Sequence, residues 1–318
     1  MLRAVIVALA LGAALPAAAQ SFPDRPIRML VGFPAGGGVD IVARQIGAAI
    51  TPLLGQPVVI ENRGGAGGNI ATAALAQAPA DGYTILMGNV GTLAINAALY
   101  KQMPVDVATL TPIARIATTS LAFVIPASLP AQTLAEFTAQ AKAQGGRWNY
   151  GSGGIGSITH LAPELYKIAA GVALDHVPYR GSAPALTDLV SGQIQLMVDA
   201  INVLQGQIQA GTVRALAVTS PERSPALPQV PTAVEAGLPG FVLIGWQGVV
   251  APAGTPRPVV ERLSAAISQV MAGGEVPARL AGQGSTPAFL DADAFGRFLV
   301  AERPRWAEAV RASGATAE

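Results

Sequence analysis

The chain of 318 residues contains no cysteine. Disulfides, thiolate nucleophiles and thiolate metal sites are therefore excluded, and so is a lipid anchor carried on an N-terminal cysteine. Histidine is almost missing as well, with only His160 and His176 present. Charged residues make up 12% of the chain and aromatic residues 5%, and 20 Lys and Arg face 19 Asp and Glu. So neutral a chain, poor in aromatic side chains, offers no basic surface for nucleic acid. No glycine-rich run ends in Gly-Lys-Ser/Thr, no serine sits in a Gly-x-Ser-x-Gly elbow, and the His-Glu-x-x-His order is absent. Nucleotide hydrolysis by a P-loop, α/β-hydrolase chemistry and zinc proteolysis thus lack their residues. No catalytic residue, metal site or cofactor is assigned.

What is present begins with a leader. Met1-Leu2-Arg3 is a minimal basic region, residues 4–15 form an apolar run, and Ala17-Ala18-Ala19 supplies small residues for cleavage. The pattern predicts a secretory signal peptide over residues 1–19, too short to span a bilayer. The mature body is then soluble and exported, which in a bacterium means the periplasm. Arg3 belongs to that leader, so the remainder is neutral.

The body is rich in glycine, with 36 residues, and the glycines cluster after short apolar runs. Ile27–Val31 reads as a strand, residues 32–40 as a glycine-rich turn, and residues 41–50 as a helix. Bare backbone N–H groups and a helix start together form an anion cradle that needs no lysine or arginine. A tight turn with Asp40 as N-cap accounts for the same residues equally well. Strands at 57–62 and 83–87 follow, each leading into another glycine-bearing loop, at 63–69 and 88–92. A β-rich run at 113–126 crosses to a second unit with a strand at 147–150, the loop Gly151–Ser157 and a helix from Thr159. Strands at 172–177, 194–199 and 213–218 come next, a return strand at 245–252 follows, and the remainder reads as mostly helical.

This alternation predicts an α/β fold of two units, each a mostly parallel sheet flanked by helices. Ligands in such sheets gather at the C-terminal ends of the strands. The candidate ligand contacts there are Phe33, Ala35, Gly36, Gly37, Gly38, Val39, Asp40 and Asn89 in the first unit. In the second they are Ser152, Gly154, Ile155, Gly156, Ser157, Tyr179 and Asp199. Gly151, Gly153 and Gly156 also fit the dinucleotide fingerprint, with Asp175 about twenty residues on. An exported protein lacks a nicotinamide pool, so anion capture ranks above a dehydrogenase. His160 and Glu164 read as an i, i+4 contact on a helix surface, and His176 as a packed side chain.

Several stretches resemble one family. They are FPAGGGVD at 33–40, GQPVVIENR at 55–63, GAGGN at 65–69, HVPYRG at 176–181, EAGLPG at 235–240 and APAGTP at 251–256. In this order they resemble the Bug-type solute-binding proteins of tripartite tricarboxylate transporters, over nearly all of the mature chain. Asn96-Ala97 in place of the common Asn-Pro, and Gly64 where proline is frequent, are departures outside the two main loops. The resemblance implies a two-domain, Venus-flytrap periplasmic binding protein of type II-like build. Domain 1 is then 20–120 with 245–318, and domain 2 is 121–244. The loops at 33–40 and 151–157 would close as pincers on a ligand carboxylate. The implied partners are a small organic acid and membrane permease subunits, with the binding protein a monomer. A periplasmic sensor for a carboxylate, or an exported enzyme acting on one, are the other readings. The family does not fix the ligand.

Overall fold

A computed structural model of the chain describes residues 22–317; the leader read at 1–19 lies outside the described residues. In chain order the elements begin with β1 (Ile27–Val31), α1 (Gly38–Leu54), β2 (Val58–Asn62), α2 (Asn69–Ala76) and β3 (Thr84–Asn89). A π-helical turn at Gly91–Ile95 and the single turn α3 (Asn96–Leu99) lead to the sixteen-residue β4 (Thr111–Pro126). Then come α4 (Leu134–Gln144), β5 (Asn149–Ser152), α5 (Ile158–Ala170), β6 (Asp175–Pro178), α6 (Ser182–Val190), β7 (Leu196–Ala200), α7 (Ile201–Gln209) and β8 (Val213–Val218). The chain returns through β9 (Ile244–Ala251) and closes with α8 (Arg257–Ala272), α9 (Glu275–Gly282), β10 (Ser285–Leu290) and α10 (Ala292–Ser313).

Two parallel cores stand at either end, β2-β1-β3 and β6-β5-β7. Antiparallel pairings join them through β4. The N-terminal part of β4 pairs with β9 and β10, and from Leu121 onward it pairs with β7 and β8 instead. One strand therefore serves as spine to two sheets. β1 is buried on both faces at Ile27, Met29, Leu30 and Val31, as a central parallel strand must be. α1 lays Val39, Val42, Ala43, Ile46 and Ile50 on that sheet at helical spacing, and ends on Gly55 in the left-handed region (φ 71°).

The sequence reading missed two elements. β10 contains Pro287 and pairs only with β4, so it is the edge strand where proline is tolerated. α7 carries Gly206 in its middle and buries only Ile201 and Leu204, which leaves little periodicity to read.

At the switch of partners, Thr219 ties the outgoing and returning chains together. Its N–H donates to Leu121 O (2.9 Å), and its hydroxyl accepts from Leu121 N–H (3.0 Å) and donates to Leu243 O (2.6 Å). Leu243 N–H donates back to Thr219 O (3.0 Å), and the Ser120 and Ser220 hydroxyls meet at 2.8 Å beside it. Thr219 is fully buried.

The β1–α1 loop is shaped by Asp40, whose role differs from the cap read in the sequence. α1 starts at Gly38 with Gly37 as an N-cap that makes no side-chain bond. The Asp40 carboxylate instead accepts from Gly36 N–H (2.9 Å), Arg44 Nε (2.9 Å) and Asn62 Nδ2 (2.8 Å). Asn62 Nδ2 also reaches Phe33 O, so the loop is pinned from both ends. Burial pushes the carboxyl upward, but these three donors and the Arg44 charge prevail and hold it below its ordinary value of 3.8.

Two outcomes follow from these contacts. Thr219→Val keeps the shape but strands a buried N–H and a buried carbonyl; urea unfolding should show a loss of about 2–4 kcal/mol. Asp40→Asn, although it would serve as a cap, turns an amide NH2 toward a donor and should destabilise the protein by about 1–3 kcal/mol at pH 7. The Asp40 pKa is depressed by folding. The wild-type advantage should therefore be full above pH 4 and fade as pH falls through the native pKa. Equal acid limbs in the two proteins would show that the Asp40 charge plays no part.

Candidate functional site

Several of the residues read from the sequence meet at a cavity of about 80 Å³ between the two sheets. Its floor is the crossover itself, formed by Thr119 and Leu121 of β4 with Gly245, Trp246 and Gln247 of β9. Its walls are helix starts. α1 contributes Gly37, Gly38 and Val39; α5 contributes Ser157, Ile158 and Thr159; α6 contributes Gly181, Ser182 and Ala183; and Ala200 stands at the head of α7. The first of these belongs to one sheet and the other three to the second.

Three of the four helices begin without a side-chain cap: Gly37, Gly181 and Ala200 make no capping bond. Only α5 is capped, by Ser157 Oγ accepting from His160 N–H. The first N–H groups of a helix have no partner within it, and the helix dipole places positive potential at the same spot. Among the described residues the lining holds no lysine or arginine and one ionisable side chain, Asp199. Positive potential in the cavity is thus supplied by backbone alone, as at other anion-binding helix starts.

The polar side chains divide into used and unused. Ser157 Oγ donates to Gly154 O (2.6 Å), and Thr159 Oγ1 accepts from Gly153 N–H (2.8 Å); both hold the loop rather than offering a free hydroxyl. Asn89 Oδ1 accepts from Thr92 N–H, and Gln247 Oε1 from the Thr119 hydroxyl. Each carbonyl is thereby fixed, with its amide NH2 left as a donor beside the cavity. The Trp246 indole is held from behind by Glu302, which also accepts from Trp306.

Asp199 ends β7. Its Oδ1 accepts from Ala200 N–H (2.7 Å), while Oδ2 is buried with no hydrogen-bond partner. Burial pushes this carboxyl up to about 6, against the pull of the nearby Ser182 hydroxyl and the Ala200 N–H.

Of the residues singled out in the sequence, Phe33, Ala35, Gly37, Gly38, Val39, Asn89, Ser157 and Asp199 line the cavity. The others do not. Gly36 and Asp40 hold the first loop from outside. Ser152 lies behind the second loop, bonded to His176 Nε2 (2.7 Å) and to Gly154 N–H. Gly154, Ile155 and Tyr179 border a second groove, which shares Phe33, Pro34, Gly153 and Gly181 with the cavity. Gly156 sits where the two sides touch: with φ at 87°, a Cβ there would lie 2.5 Å from Asn96 Oδ1. Gly67 is equally constrained, facing Ile155 O, which also accepts from Tyr100 Oη (3.1 Å). Asn202 Nδ2 donating to Gly38 O (3.3 Å) and Gln205 Nε2 donating to Gly282 O (3.1 Å) also bridge the cleft. His160 is not on a helix surface as its spacing suggested. It is buried, stacked on His176 with ring centroids 4.3 Å apart.

Sequence reasoning missed Trp246, Gln247 and Thr119, which come from the crossover strands, and the heads of α6 and α7. Pro184 lies just inside α6, but nothing local aims that helix start at the first loop. Among the described residues there is no cluster of three metal-ligating side chains, and no helix is long and apolar enough to cross a membrane.

Comparison with known proteins agrees with this geometry. The protein BugT of Bordetella pertussis is 37% identical over 306 residues, covering 96% of this chain and 94% of its own. An R. palustris protein, Rpa4515, solved with adipate, superposes with a TM-score of 0.91 at 36% identity, covering 93% of this chain and 99% of its own. MatC from Rhodopseudomonas palustris, solved with bound malate, superposes with a TM-score of 0.85 at 34% identity, covering 91% and 100%. The model of the tripartite tricarboxylate transporter family receptor matches residues 42–315. With a mixed α/β fold shared with solved periplasmic binding proteins, this chain belongs to the tripartite tricarboxylate transporter receptor family.

Proposed function

We propose that the protein is a periplasmic receptor that captures a small carboxylate between two closing domains and hands it to the permease subunits of a tripartite tricarboxylate transporter. The observation that carries this is the meeting of four helix starts from two sheets on one cavity without a cation. Such a site suits a planar anion with several acceptor lone pairs, and a carboxylate of modest size fills it. The adipate and malate bound by two relatives are small carboxylates of this kind. The leader pattern at residues 1–19 supports export. In this reading the protein acts as a monomer and performs no chemistry on its ligand.

The two domains are residues 20–120 with 245–318, and 121–244. They hinge where β4 changes partners at Ser120 and Leu121 and where the chain returns at Leu243 and Ile244. A ligand carboxylate bridges the head of α1 on one domain and the heads of α5, α6 and α7 on the other. Neither set is complete while the cleft is open, so capture and closure are one event.

Gly37→Val should test the cradle. Its added Cβ meets only Pro34 O at 3.4 Å, an ordinary contact, so the fold should hold. The side chain would keep a ligand from the bare N–H groups, and calorimetry should show affinity weakened about tenfold or more, the worth of one hydrogen bond to a charged group. Unchanged affinity would remove the loop from the site.

The function itself is tested by a thermal-shift screen over mono-, di-, tricarboxylic and aromatic acids. A true ligand at a hundredfold excess over its Kd adds about 2.7 kcal/mol of stability. Small-angle scattering with the best acid should show a smaller radius of gyration than the free protein. Stabilisation without any change in scattering would reject coupled closure, and no stabilisation by any acid would reject the carboxylate reading.

A further inference from the structure

Asp199 is an acid in a cavity otherwise fitted to anions. Its Oδ2 is buried and forms no hydrogen bond, although the Ser182 hydroxyl stands near enough to favour the charged form, while its Oδ1 is engaged by Ala200 N–H. A buried carboxylate oxygen carrying charge but no donor is costly, and a second carboxylate brought into the same small cavity would add like-charge repulsion with no cation to offset it. The ionisable side chains on the surrounding elements are turned to other partners. On α1, Asp40 and Arg44 pair with each other. On α5, His160 stacks on His176, and Glu164 binds Lys167 and Tyr150 Oη. Asp188 on α6 takes the Tyr179 hydroxyl, Arg115 on β4 binds Ala288 O, and Arg214 on β8 binds Leu129 O and Ala131 O. None of these groups lines the cavity.

We propose that ligand binding is coupled to protonation of Asp199: one proton is taken from solvent as a ligand carboxylate enters, and Oδ2–H then donates a hydrogen bond to it. The single orphan acceptor of the cavity thereby becomes a donor, and the bound pair shares one negative charge instead of two. The raised Asp199 pKa, due to burial, lies in the range where this uptake is cheap in mildly acid medium and increasingly unfavourable above neutrality. Asp199 is thus a specificity-determining residue. It favours a carboxylate, or a neutral hydrogen-bonding group in its place, and disfavours any anion that cannot accept from it. The inference rests on the carboxylate-receptor reading.

The test uses adipate, malate, succinate and benzoate as probes with the mature protein at pH 6, 7 and 8. Isothermal titration in buffers of different ionisation enthalpy counts the protons exchanged. Wild-type protein should take up about one proton per ligand at pH 8, and its affinity should fall about tenfold per pH unit above pH 7. Asp199→Asn places an amide NH2 where the protonated oxygen would be. It should bind with less than about twofold change across the range and with no proton uptake. Wild-type binding with no proton uptake and a flat pH profile would overturn the inference while leaving the receptor function standing. So would equal uptake in Asp199→Asn, which places the proton elsewhere. Failure of all four probes to bind at any pH would overturn the carboxylate reading and this inference with it.

Discussion

The site depends on three helices that start without a cap at one cavity. A helix start leaves N–H groups that must find an acceptor, and most helices supply one from a Ser, Thr, Asp or Asn side chain. Here Gly37, Gly181 and Ala200 supply none, as is also true of the starts of α2, α8 and α9, and what sets these three apart is that they meet at one cavity. The donors are left for water when the cleft is open. When it closes, an N–H shut away without an acceptor costs about 1–3 kcal/mol. An empty closed cleft is therefore unfavourable, and an anion with several lone pairs relieves several such costs at once.

That arrangement demands that the two sides be both joined and movable, and β4 meets the demand. Its sixteen residues change partners between Ser120 and Leu121, so the same strand that carries one sheet's hydrogen bonds carries the other's. Thr219 fastens the return of the chain to the same point through both its backbone and its hydroxyl. In the proposed receptor, rotation about this knot would move the head of α1 relative to those of α5, α6 and α7 without breaking either sheet. Trp246 and Gln247 lie on the returning strand at the knot and line the cavity there.

The sequence made the loops legible and the floor illegible, for a physical reason. Phe33–Asp40 and Gly151–Ser157 announce themselves because glycine between an apolar strand and a helix is a local signal, and both loops do reach the cleft. Asn89 and Asp199 were found by their place at strand ends, which a parallel sheet gathers on one side. Trp246, Gln247 and Thr119 belong to the site only through the pairing of Thr119 with Gly245, two residues 126 positions apart. No local pattern encodes such a contact. Asp40 was misread because an acid at a helix start usually caps it, and only the folded neighbours Arg44 and Asn62 show where its charge is spent. Within the second loop, Ser152 is bonded to His176 behind the loop and Gly156 is pressed against Asn96 across the cleft, neighbours that no local pattern reveals.

The scarcity of charge that opens the sequence has its counterpart in the cavity. An arginine facing the cleft would bind a carboxylate strongly, but closing over it without ligand would bury an unpaired cation at a cost of several kcal/mol. It would also fix a bidentate geometry that only some acids satisfy. Backbone donors spread over four helix starts avoid both consequences, since each N–H carries only a partial charge and no single one sets the orientation. In the proposed receptor, the amide groups of Asn89 and Gln247, whose carbonyls are already engaged, are the side-chain donors left to discriminate at the edges of the site. One relative was solved with adipate and another with malate on this fold, and such a division of labour would serve both: attraction from a common scaffold of helix starts, and selectivity from the few side chains that reach past it.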